Sequence, residues 1–276
     1  MLTAITRHVS PRLGACEISF QERQQIDVAL AVRQHAAYEA LLTELGARVV
    51  SLPALPEQPD CVFVEDPAVV LDEVAIITRM GTEARRGESE SLAEALAEYR
   101  ELRRMEAPAT LEGGDVLRVG RTLYVGLSGR TNVAGIQQLA RLVEPFGYWV
   151  TPSEVRGCLH LKSACSYLGN DTVLANRQWM DVEALCGLRI LDVPPGEPHA
   201  ANALRLGETI VLSLAHPATR ALLEKSGLRV RVVDISEMHK AEGSVTCMSL
   251  LFDSPGTAAF SSTAPLGRGG GESIGD

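Results

Sequence analysis

A repeated block constrains the fold of this chain more than any other feature of its sequence. Two segments show it best, one beginning at Glu112 and one at Asn202. Each predicts a strand, a tight turn, a second strand, a helix that stops at a glycine, and a third strand. The residues that mark the turns and the helix stops are Gly120 with Arg121, Gly207 with Glu208, Gly147 and Gly227.

Three further copies complete the pattern. One runs from His160, and one runs from Phe63 to a predicted helix over residues 89–102. The fifth is divided between the two ends of the chain, with its first strand at 246–252 and its helix and last strand at 28–52. A repeat split across the termini closes a ring and leaves no exposed sheet edge. The sequence therefore predicts a five-bladed α/β propeller built from ββαβ units.

This ring predicts one domain over residues 1–260. The remaining segment, residues 261–276, has five glycines in sixteen residues and almost no apolar periodicity. Such a segment buries too little surface to offset the entropy of ordering it. We therefore predict a disordered tail.

Polar residues fall at the same phase of all five repeats. They are Glu65, Glu112, His160, Asn202 and Cys247, with spacings of 47, 48, 42 and 45 residues. Residues at one phase of a closed ring converge on its axis, so a carboxylate, an imidazole and a thiol are expected to meet there. These three groups are typical of nucleophilic catalysis, in which an acid orients the imidazole and the imidazole transfers protons.

Each member of this set has an ordinary structural alternative. Cys247 taken alone is a core thiol, His160 a core histidine and Glu112 a turn residue. Cys158, two residues before His160, hints at a metal, but a catalytic zinc needs three ligands and no complete spacing appears. The coincidence of three reactive groups at one phase favours catalysis without a metal.

A short loop concentrates acids beside an apolar run. The segment PDCVFVEDP carries Asp60, Glu65 and Asp66. Clustered acids next to buried residues require a cationic partner, and a planar guanidinium matches carboxylates bidentately. Arg85 in the segment EARRGE and Arg130 in the segment SGRTN are either ordinary loop charges or ligands for an α-carboxylate.

Composition excludes several classes of partner. With 26 Lys and Arg against 35 Asp and Glu, the formal net charge of -9 argues against nucleic acid. No apolar stretch is long enough for a membrane span. The six cysteines include no C-x-x-C pair, and the first residues lack the apolar core of a signal peptide, which together predict a cytoplasmic protein.

At these residues the sequence resembles the dimethylarginine dimethylaminohydrolase family of the guanidino-group modifying superfamily. The resemblance covers about residues 1–253. The matching segments are PDCVFVEDP, ITRMGTEARRGE, ATLEGGDVLRVG, VGLSGRTN, LHLKSACS, HAAN and GSVTCMSL. The family implies a five-bladed α/β propeller, the pentein fold, and no metal or organic cofactor.

Carried over residue by residue, the resemblance implies Cys247 as nucleophile, His160 as general acid and base, and Glu112 as its carboxylate partner. Some members of the family have Asp in place of Glu112, and the segment GACEISF departs from the family in detail. Ile18 takes the place of a leucine on the mobile lid of the family. The predicted substrate-binding residues are Asp66 for the guanidinium, Asp60 for the amino group, Arg85 and Arg130 for the α-carboxylate, and Glu65, Phe63 and Ile18.

The predicted function is hydrolysis of Nω-methylated or dimethylated free L-arginine to L-citrulline and methylamine or dimethylamine, through a covalent cysteine intermediate. Arginine deimination and citrulline hydrolysis are alternatives that use the same residues. Arginine deiminases and amidinotransferases are longer chains. A binding propeller without catalysis is the alternative outside enzymes, and it needs no Cys/His/acid set. The expected partner is a small-molecule substrate, with a homodimer left open.

Overall fold

The structure, a computed structural model, describes residues 1–254 and contains five three-stranded sheets. Each sheet has the same strand order, and its middle strand pairs antiparallel with the first strand and parallel with the third. The strands are β1 (Leu2–Arg7), β2 (Arg48–Leu52), β3 (Ala68–Val70), β4 (Val74–Ile77), β5 (Glu101–Arg104), β6 (Val116–Val119), β7 (Thr122–Leu127), β8 (Trp149–Glu154), β9 (Cys165–Gly169), β10 (Thr172–Ala175), β11 (Arg189–Asp192), β12 (Leu204–Leu206), β13 (Thr209–Ser213), β14 (Arg229–Val233) and β15 (Leu250–Asp253). The predicted α/β propeller is confirmed.

Tight turns and crossovers explain the topology of each blade. Gly120 and Gly207 lie in two-residue hairpin turns with φ of 59° and 55°, a left-handed conformation that glycine adopts without strain. Asn170 and Asp171, also with positive φ, make the corresponding turn in the blade of β9, β10 and β11, which we call the third blade. The third strand is parallel to the second, so the chain must cross over between them. The helices supply that connection in most blades.

The blade that joins the two termini closes the ring. β15 pairs antiparallel with β1, with Thr3 opposite Phe252, and β1 pairs in parallel with β2. The N-terminal amino group donates to the carbonyl of Ser254 at 2.9 Å. The predicted split repeat is therefore present as one continuous sheet.

The helices are α1 (Val28–Glu44), α2 (Ser89–Ala97), α3 (Val133–Val143), α4 (Leu161–Ala164), α5 (Pro217–Lys225) and α6 (Ser236–Lys240). Short 3-10 segments lie at Leu13–Ala15, Glu83–Glu88, Gly113–Asp115, Glu144–Phe146, Val182–Leu185 and Pro198–Ala201. Asp27 caps α1 by accepting from the N–H of Leu30, and Asn132 caps α3 in the same way from Gly135. Among residues 1–254, none of the helices combines the length and apolar character needed to cross a membrane.

Three boundaries differ from the predictions. The helix predicted over residues 89–102 ends at Ala97, and Glu101 opens strand β5. The third blade has only the 3-10 turn Val182–Leu185 where the repeat predicts a helix. The strand predicted from residue 246 begins at Leu250, so Cys247 lies in the turn before it.

The apolar core is divided among the blades. Each cluster of buried apolar residues joins two neighbouring blades, and the largest lies under α1, where the fully buried Tyr38 and Leu42 share a cluster with Val211 of β13. Full burial of a large apolar side chain contributes about 1.5–3 kcal/mol, so these clusters hold the blades in place. The division into a domain over 1–260 and a tail over 261–276 stays a prediction, because residues 255–276 lie outside the described part.

Candidate active site

The five residues at equivalent repeat phase all lie in the short loops that precede the first strand of each blade. Glu65 precedes β3, Glu112 precedes β6, His160 precedes β9, Asn202 precedes β12 and Cys247 precedes β15. Backbone bonds join these loops around the axis. The N–H of Glu65 donates to the carbonyl of Cys247 at 3.1 Å. The predicted convergence is therefore present.

The converging side chains divide between two sides of the axis. Glu65 accepts from Nζ of Lys162 at 2.5 Å and from the hydroxyl of Thr246 at 2.9 Å, and Asn202 also bonds to Thr246. Burial raises the pKa of Glu65. Glu65, Lys162 and Thr246 line a groove between the first strands of the blades, and Cys247 does not line it. The carboxylate of Glu65 is thus bonded to Lys162 and Thr246, although it lies near enough to Cys247 to influence its thiol.

A separate small cavity is lined by Cys247 and His160 together with several charged side chains. Its walls come from the loop before β3, the 3-10 turn at Glu83–Glu88, the loop before α3, the loop around His160 and the turn around Cys247. The lining residues are Glu17, Asp60, Phe63, Asp66, Arg85, Arg130, Leu159, His160, Ala241, Glu242, Gly243 and Cys247. Most predicted site residues therefore share one small enclosure.

His160 and Glu112 form a buried ion pair directly behind this cavity. Nε2 of His160 lies 2.8 Å from Oε2 of Glu112, whose side chain is fully buried. Burial opposes the charge on the imidazole, but Asp66, Asp115 and Glu112 outweigh it and raise its pKa to about 9. Burial likewise opposes ionisation of Glu112, yet the bond to His160 holds its pKa at about 2. At neutral pH the pair is imidazolium and carboxylate.

The loop that carries Glu112 is shaped around His160. A Cβ at Gly114 would lie 2.6 Å from Nδ1 of His160, and one at Gly113 would lie 2.0 Å from the carbonyl oxygen of Glu65. Both positions therefore require glycine. Asp115, next in the chain, accepts from the N–H of Leu161 at 2.9 Å and so anchors the residue after His160. Sequence reasoning missed Asp115, although it stands in the LEGGD motif.

Asp66 and Arg85 form a second buried pair on the cavity wall. Nη1 of Arg85 donates to Oδ2 of Asp66 at 2.8 Å, and Oδ1 accepts from the N–H of Gly114 at 3.1 Å. Glu88, which sequence reasoning also missed, takes two further N–H groups of Arg85, and the carbonyl of Phe63 takes one. Of the five N–H donors of this guanidinium, one on Nη1 is left for another partner.

Arg130 and Asp60 also line the cavity. Arg130 donates to the hydroxyls of Thr82 and Ser19, and its Nη1 lies 3.6 Å from Oε1 of Glu112. Asp60 accepts from the N–H of Glu17 at 3.2 Å, and burial raises its pKa. Both groups hold neighbouring loop residues with bonds that a polar ligand could replace.

Cys247 is half-buried at the base of the cavity. Burial, with the nearby charges of Glu65 and Asp66, raises the pKa of its thiol to about 12. The thiol is therefore protonated at neutral pH in the free site. A cation placed in the cavity would favour the thiolate.

Asp66, Glu112 and His160 also approach one another as metal ligands do, with one ligand atom of each within 4.8 Å of the others. The carboxylates and the imidazole already have hydrogen-bond partners in the protein. Each carboxylate accepts from a backbone N–H, from Gly114 and Gly81, and the imidazole Nε2 faces Glu112. Cys158, the other thiol considered for a metal, donates to the backbone carbonyl of His160. The arrangement fits an ion-paired acid and base.

Among the predicted site residues, the cavity brings together seven: Cys247, His160, Asp66, Asp60, Phe63, Arg85 and Arg130. Glu112 stands behind His160. Ile18 packs partly buried against the core cluster under α1, and Glu65 lies in the other polar cluster. Neither Ile18 nor Glu65 lines this cavity.

The fold and the candidate site together define the class of protein to which the chain belongs. Five ββαβ blades surround an axis at which a cysteine, an ion-paired histidine and a second buried acid line one cavity, as in the pentein enzymes. Comparison with known proteins then places the chain within that class. A family model described as "N,N dimethylarginine dimethylhydrolase, eukaryotic" matches residues 14–251. The chain belongs to the dimethylarginine dimethylaminohydrolase family.

Individual relatives agree with this assignment. The chain is 41% identical over 249 residues to N(G),N(G)-dimethylarginine dimethylaminohydrolase of Streptomyces coelicolor, covering 90% of this chain and 95% of the relative. It is 37% identical to the same enzyme of Pseudomonas aeruginosa, covering 82% and 90%. A cysteine-to-serine variant of the Pseudomonas enzyme complexed with citrulline matches with a TM-score of 0.87 at 35% identity, over 91% of this chain and 100% of that one. The N-terminal domain of the cyanobacterial arginine dihydrolase ArgZ shares the fold, with a TM-score of 0.82 at 20% identity.

Proposed function

We propose that this protein hydrolyses Nω-methylated or dimethylated free L-arginine to L-citrulline and methylamine or dimethylamine. The observation that carries the proposal is the cavity in which Cys247, the His160–Glu112 pair and Asp66 meet, in a chain of this family. The thiol provides a nucleophile, the pair provides a proton, and the acid provides a counter-charge for a guanidinium.

Substrate binding begins with the attraction between the guanidinium of the substrate and the carboxylate of Asp66. Asp66 faces the cavity with one oxygen on Arg85 and one on a backbone N–H, so its remaining lone pairs are available to a planar guanidinium. Arg130 holds the α-carboxylate and Asp60 the amino group, in place of the loop residues that they contact in the free site. Arg85 has one N–H to contribute, so we assign it mainly to orienting Asp66.

Activation of Cys247 depends on the substrate. Its thiol pKa of about 12 leaves almost no thiolate at neutral pH in the free site. A guanidinium beside the sulfur offsets the charges of Asp66 and Glu65 that raise this pKa. Because His160 is already protonated, the thiol proton passes to solvent as the substrate binds. The thiolate then adds to the central guanidinium carbon; a carbon–sulfur bond forms while the carbon–nitrogen π electrons return to nitrogen, which gives a tetrahedral intermediate.

His160 completes both halves of the reaction. Its pKa of about 9 keeps it protonated at neutral pH, so it can donate a proton to the departing amine as the carbon–nitrogen bond breaks. The neutral imidazole then takes a proton from water, which adds to the S-alkylthiouronium carbon. Breaking of the carbon–sulfur bond releases citrulline and returns Cys247. Glu112 holds the imidazole in the required orientation throughout.

The test is citrulline release from four substrates side by side: arginine, monomethylarginine, asymmetric dimethylarginine and agmatine. The methylated arginines should have the highest kcat/KM. Agmatine lacks the α-carboxylate, so loss of a charge-assisted contact should reduce kcat/KM at least about tenfold. Arginine as the best substrate would replace this proposal with deimination.

A matched pair of cysteine variants controls the assay. Cys247→Ser should lower turnover by at least ~10²-fold, because a serine hydroxyl does not ionise near neutral pH. Cys186→Ser changes an exposed thiol remote from the cavity and should leave turnover unchanged. Normal turnover in a folded Cys247→Ser protein would contradict the covalent mechanism.

The remaining parts of the proposal concern the setting of the reaction. All six cysteines are free thiols, which supports a cytoplasmic location. A homodimer is the oligomeric state that we propose to test by light scattering alongside the kinetics.

A further inference from the structure

Residues 17–21, which we name the strap, separate two cavities without any regular secondary structure. Glu17 lines the cavity of Cys247, and Phe20 and Gln21 line a larger neighbouring cavity. Phe20 is 55% exposed, and Ile18 is the strap residue that packs against the apolar core. Apolar burial alone therefore holds the strap weakly.

One carboxylate accepts three of the hydrogen bonds that hold the strap. Three consecutive backbone N–H groups, from Ser19, Phe20 and Gln21, donate to the side chain of Glu242 at 3.0, 2.5 and 2.8 Å. Successive N–H groups that point at one anion form a nest, and hydrogen bonds to a charged acceptor are stronger than neutral ones. The amide of Gln21 adds a bond to the carbonyl of His239 at 2.6 Å.

The backbone around Glu242 is built for this contact. Glu242 has φ of 57°, a left-handed conformation that is uncommon for a residue with a side chain. The next residue, Gly243, packs so closely that a Cβ there would lie 2.2 Å from the ring of Phe63. Glu242 stands five residues before Cys247 and lines both cavities. It thereby joins the strap to the turn that carries the thiol.

The other attachments of the strap involve proposed substrate ligands. Asp60 accepts from the N–H of Glu17, and Arg130 donates to the hydroxyl of Ser19. A substrate bound by Asp60 and Arg130 would compete for these contacts. The bonds to Glu242 do not depend on those groups, so they can persist while the substrate binds and leaves.

We propose that Glu242 is a positioning residue that latches residues 17–21 between the two cavities and so keeps Glu17 against the cavity of Cys247. The latch itself follows from the contacts above, whereas its effect on turnover rests on the proposed function. Without it, the strap would remain tied only through Ile18, Gln21 and the two groups that the substrate engages.

Two variants test the latch. Glu242→Gly removes the carboxylate and suits the left-handed backbone, so the melting temperature should not fall through added strain. Glu242→Gln keeps an oxygen acceptor without the charge and should give an intermediate result. Glu208→Gln is the matched control, because Glu208 lies in an exposed hairpin turn paired with Arg229.

The readouts are amide hydrogen exchange in residues 18–21, the rate of Cys247 alkylation by iodoacetamide, and kinetics on dimethylarginine. In Glu242→Gly we expect exchange at Ser19, Phe20 and Gln21 to accelerate at least about tenfold, consistent with loss of a charge-assisted bond. Alkylation should also accelerate, and KM should rise at least about fivefold with a smaller change in kcat.

Unchanged strap exchange and unchanged alkylation in a folded Glu242→Gly protein would overturn the latch. Equal effects in Glu208→Gln would overturn it as well, since they would report a general loss of charge. If wild-type protein releases no citrulline while strap exchange still accelerates in Glu242→Gly, the proposed function fails and the latch stands.

Discussion

Glu112→Gln removes one charge from the most deeply buried part of the site and keeps its shape. Oε2 of Glu112 lies 2.8 Å from Nε2 of His160, and Oε1 accepts from the N–H of Gly81 at 3.1 Å. Glutamine can retain the bond to Gly81 through its carbonyl oxygen. The variant therefore isolates the charge interaction with the imidazole.

The pKa values set the size of the effect. The pKa of His160 rises from its ordinary 6.5 to about 9. At about 1.36 kcal/mol per pKa unit, this corresponds to about 3 kcal/mol of preferential stabilisation of the imidazolium. The fall of the Glu112 pKa from 4.5 to about 2 gives a similar figure. Both figures describe one coupling and are not added, and Asp66 and Asp115 supply part of the shift of His160.

The sign of the pH dependence follows from these shifts. Because the folded-state pKa of His160 is raised, its contribution to stability is complete below about pH 6.5 and is lost as the pH rises through 9. Because the pKa of Glu112 is lowered, its contribution is complete above about pH 4.5 and is lost as the pH falls through 2. The pair therefore stabilises the fold most between about pH 4.5 and 6.5.

Urea denaturation at pH 6 and pH 10 measures this directly. Glu112→Gln should lower the free energy of unfolding at pH 6 by up to about 3 kcal/mol more than at pH 10. Glu101→Gln, an exposed control paired with Arg103, should show no such difference. A loss of stability that is equal at the two pH values would refute the raised pKa of His160 as an effect of Glu112.

Two further predictions follow from the same cavity. Asp66→Asn should raise KM for dimethylarginine strongly and lower kcat, because a misplaced electrophile lies farther from the thiolate; unchanged kinetics would make Asp66 a support for Arg85 alone. The thiolate absorbance of Cys247 at about 240 nm, taken as wild type minus Cys247→Ser, should titrate near pH 12 in free protein and at lower pH with saturating agmatine. An identical midpoint with and without agmatine would contradict activation by the substrate.

The ring could be predicted from sequence because the same sequence pattern occurs in every blade. Gly turns between apolar runs recur in several blades, so an error in one copy does not hide the period. The helix boundaries carry no such redundancy. Glu101 continues a helix-favouring run but pairs in parallel with Val74 as part of β5, where tertiary pairing overrides local propensity.

The third blade shows the same limit. Met180 forms a bridge with Val155 of the preceding blade, and Asp181 accepts from the N–H of Glu183 in a tight turn. These contacts use part of the chain between β10 and β11 that a full helix would need. The bridge joins residues of different blades, so no periodicity within one segment could reveal it.

In the site, repeat phase predicted which residues meet but not the side on which each one lies. Glu65 and Asp66 are neighbours in the chain, yet Glu65 pairs with Lys162 and Asp66 pairs with Arg85. Residues 64–67 form a turn before β3, so the two side chains leave it toward different partners. The motif FVED therefore supplied both acids, and only the structure distinguished the one that lines the cavity.

The charge of the cavity suits the proposed direction of the reaction. Besides the protonated thiol of Cys247, the ionisable residues that line it are Glu17, Asp60, Asp66 and Glu242, against Arg85, Arg130 and the imidazolium of His160. The imidazolium is already paired with Glu112 behind the cavity, so the acids are in excess. This excess attracts free methylarginine, because that molecule carries one net positive charge at neutral pH. Citrulline has a neutral ureido group and no net charge. Hydrolysis thus removes the charge that favours binding, so the same electrostatics that draw the substrate in weaken the hold on the product.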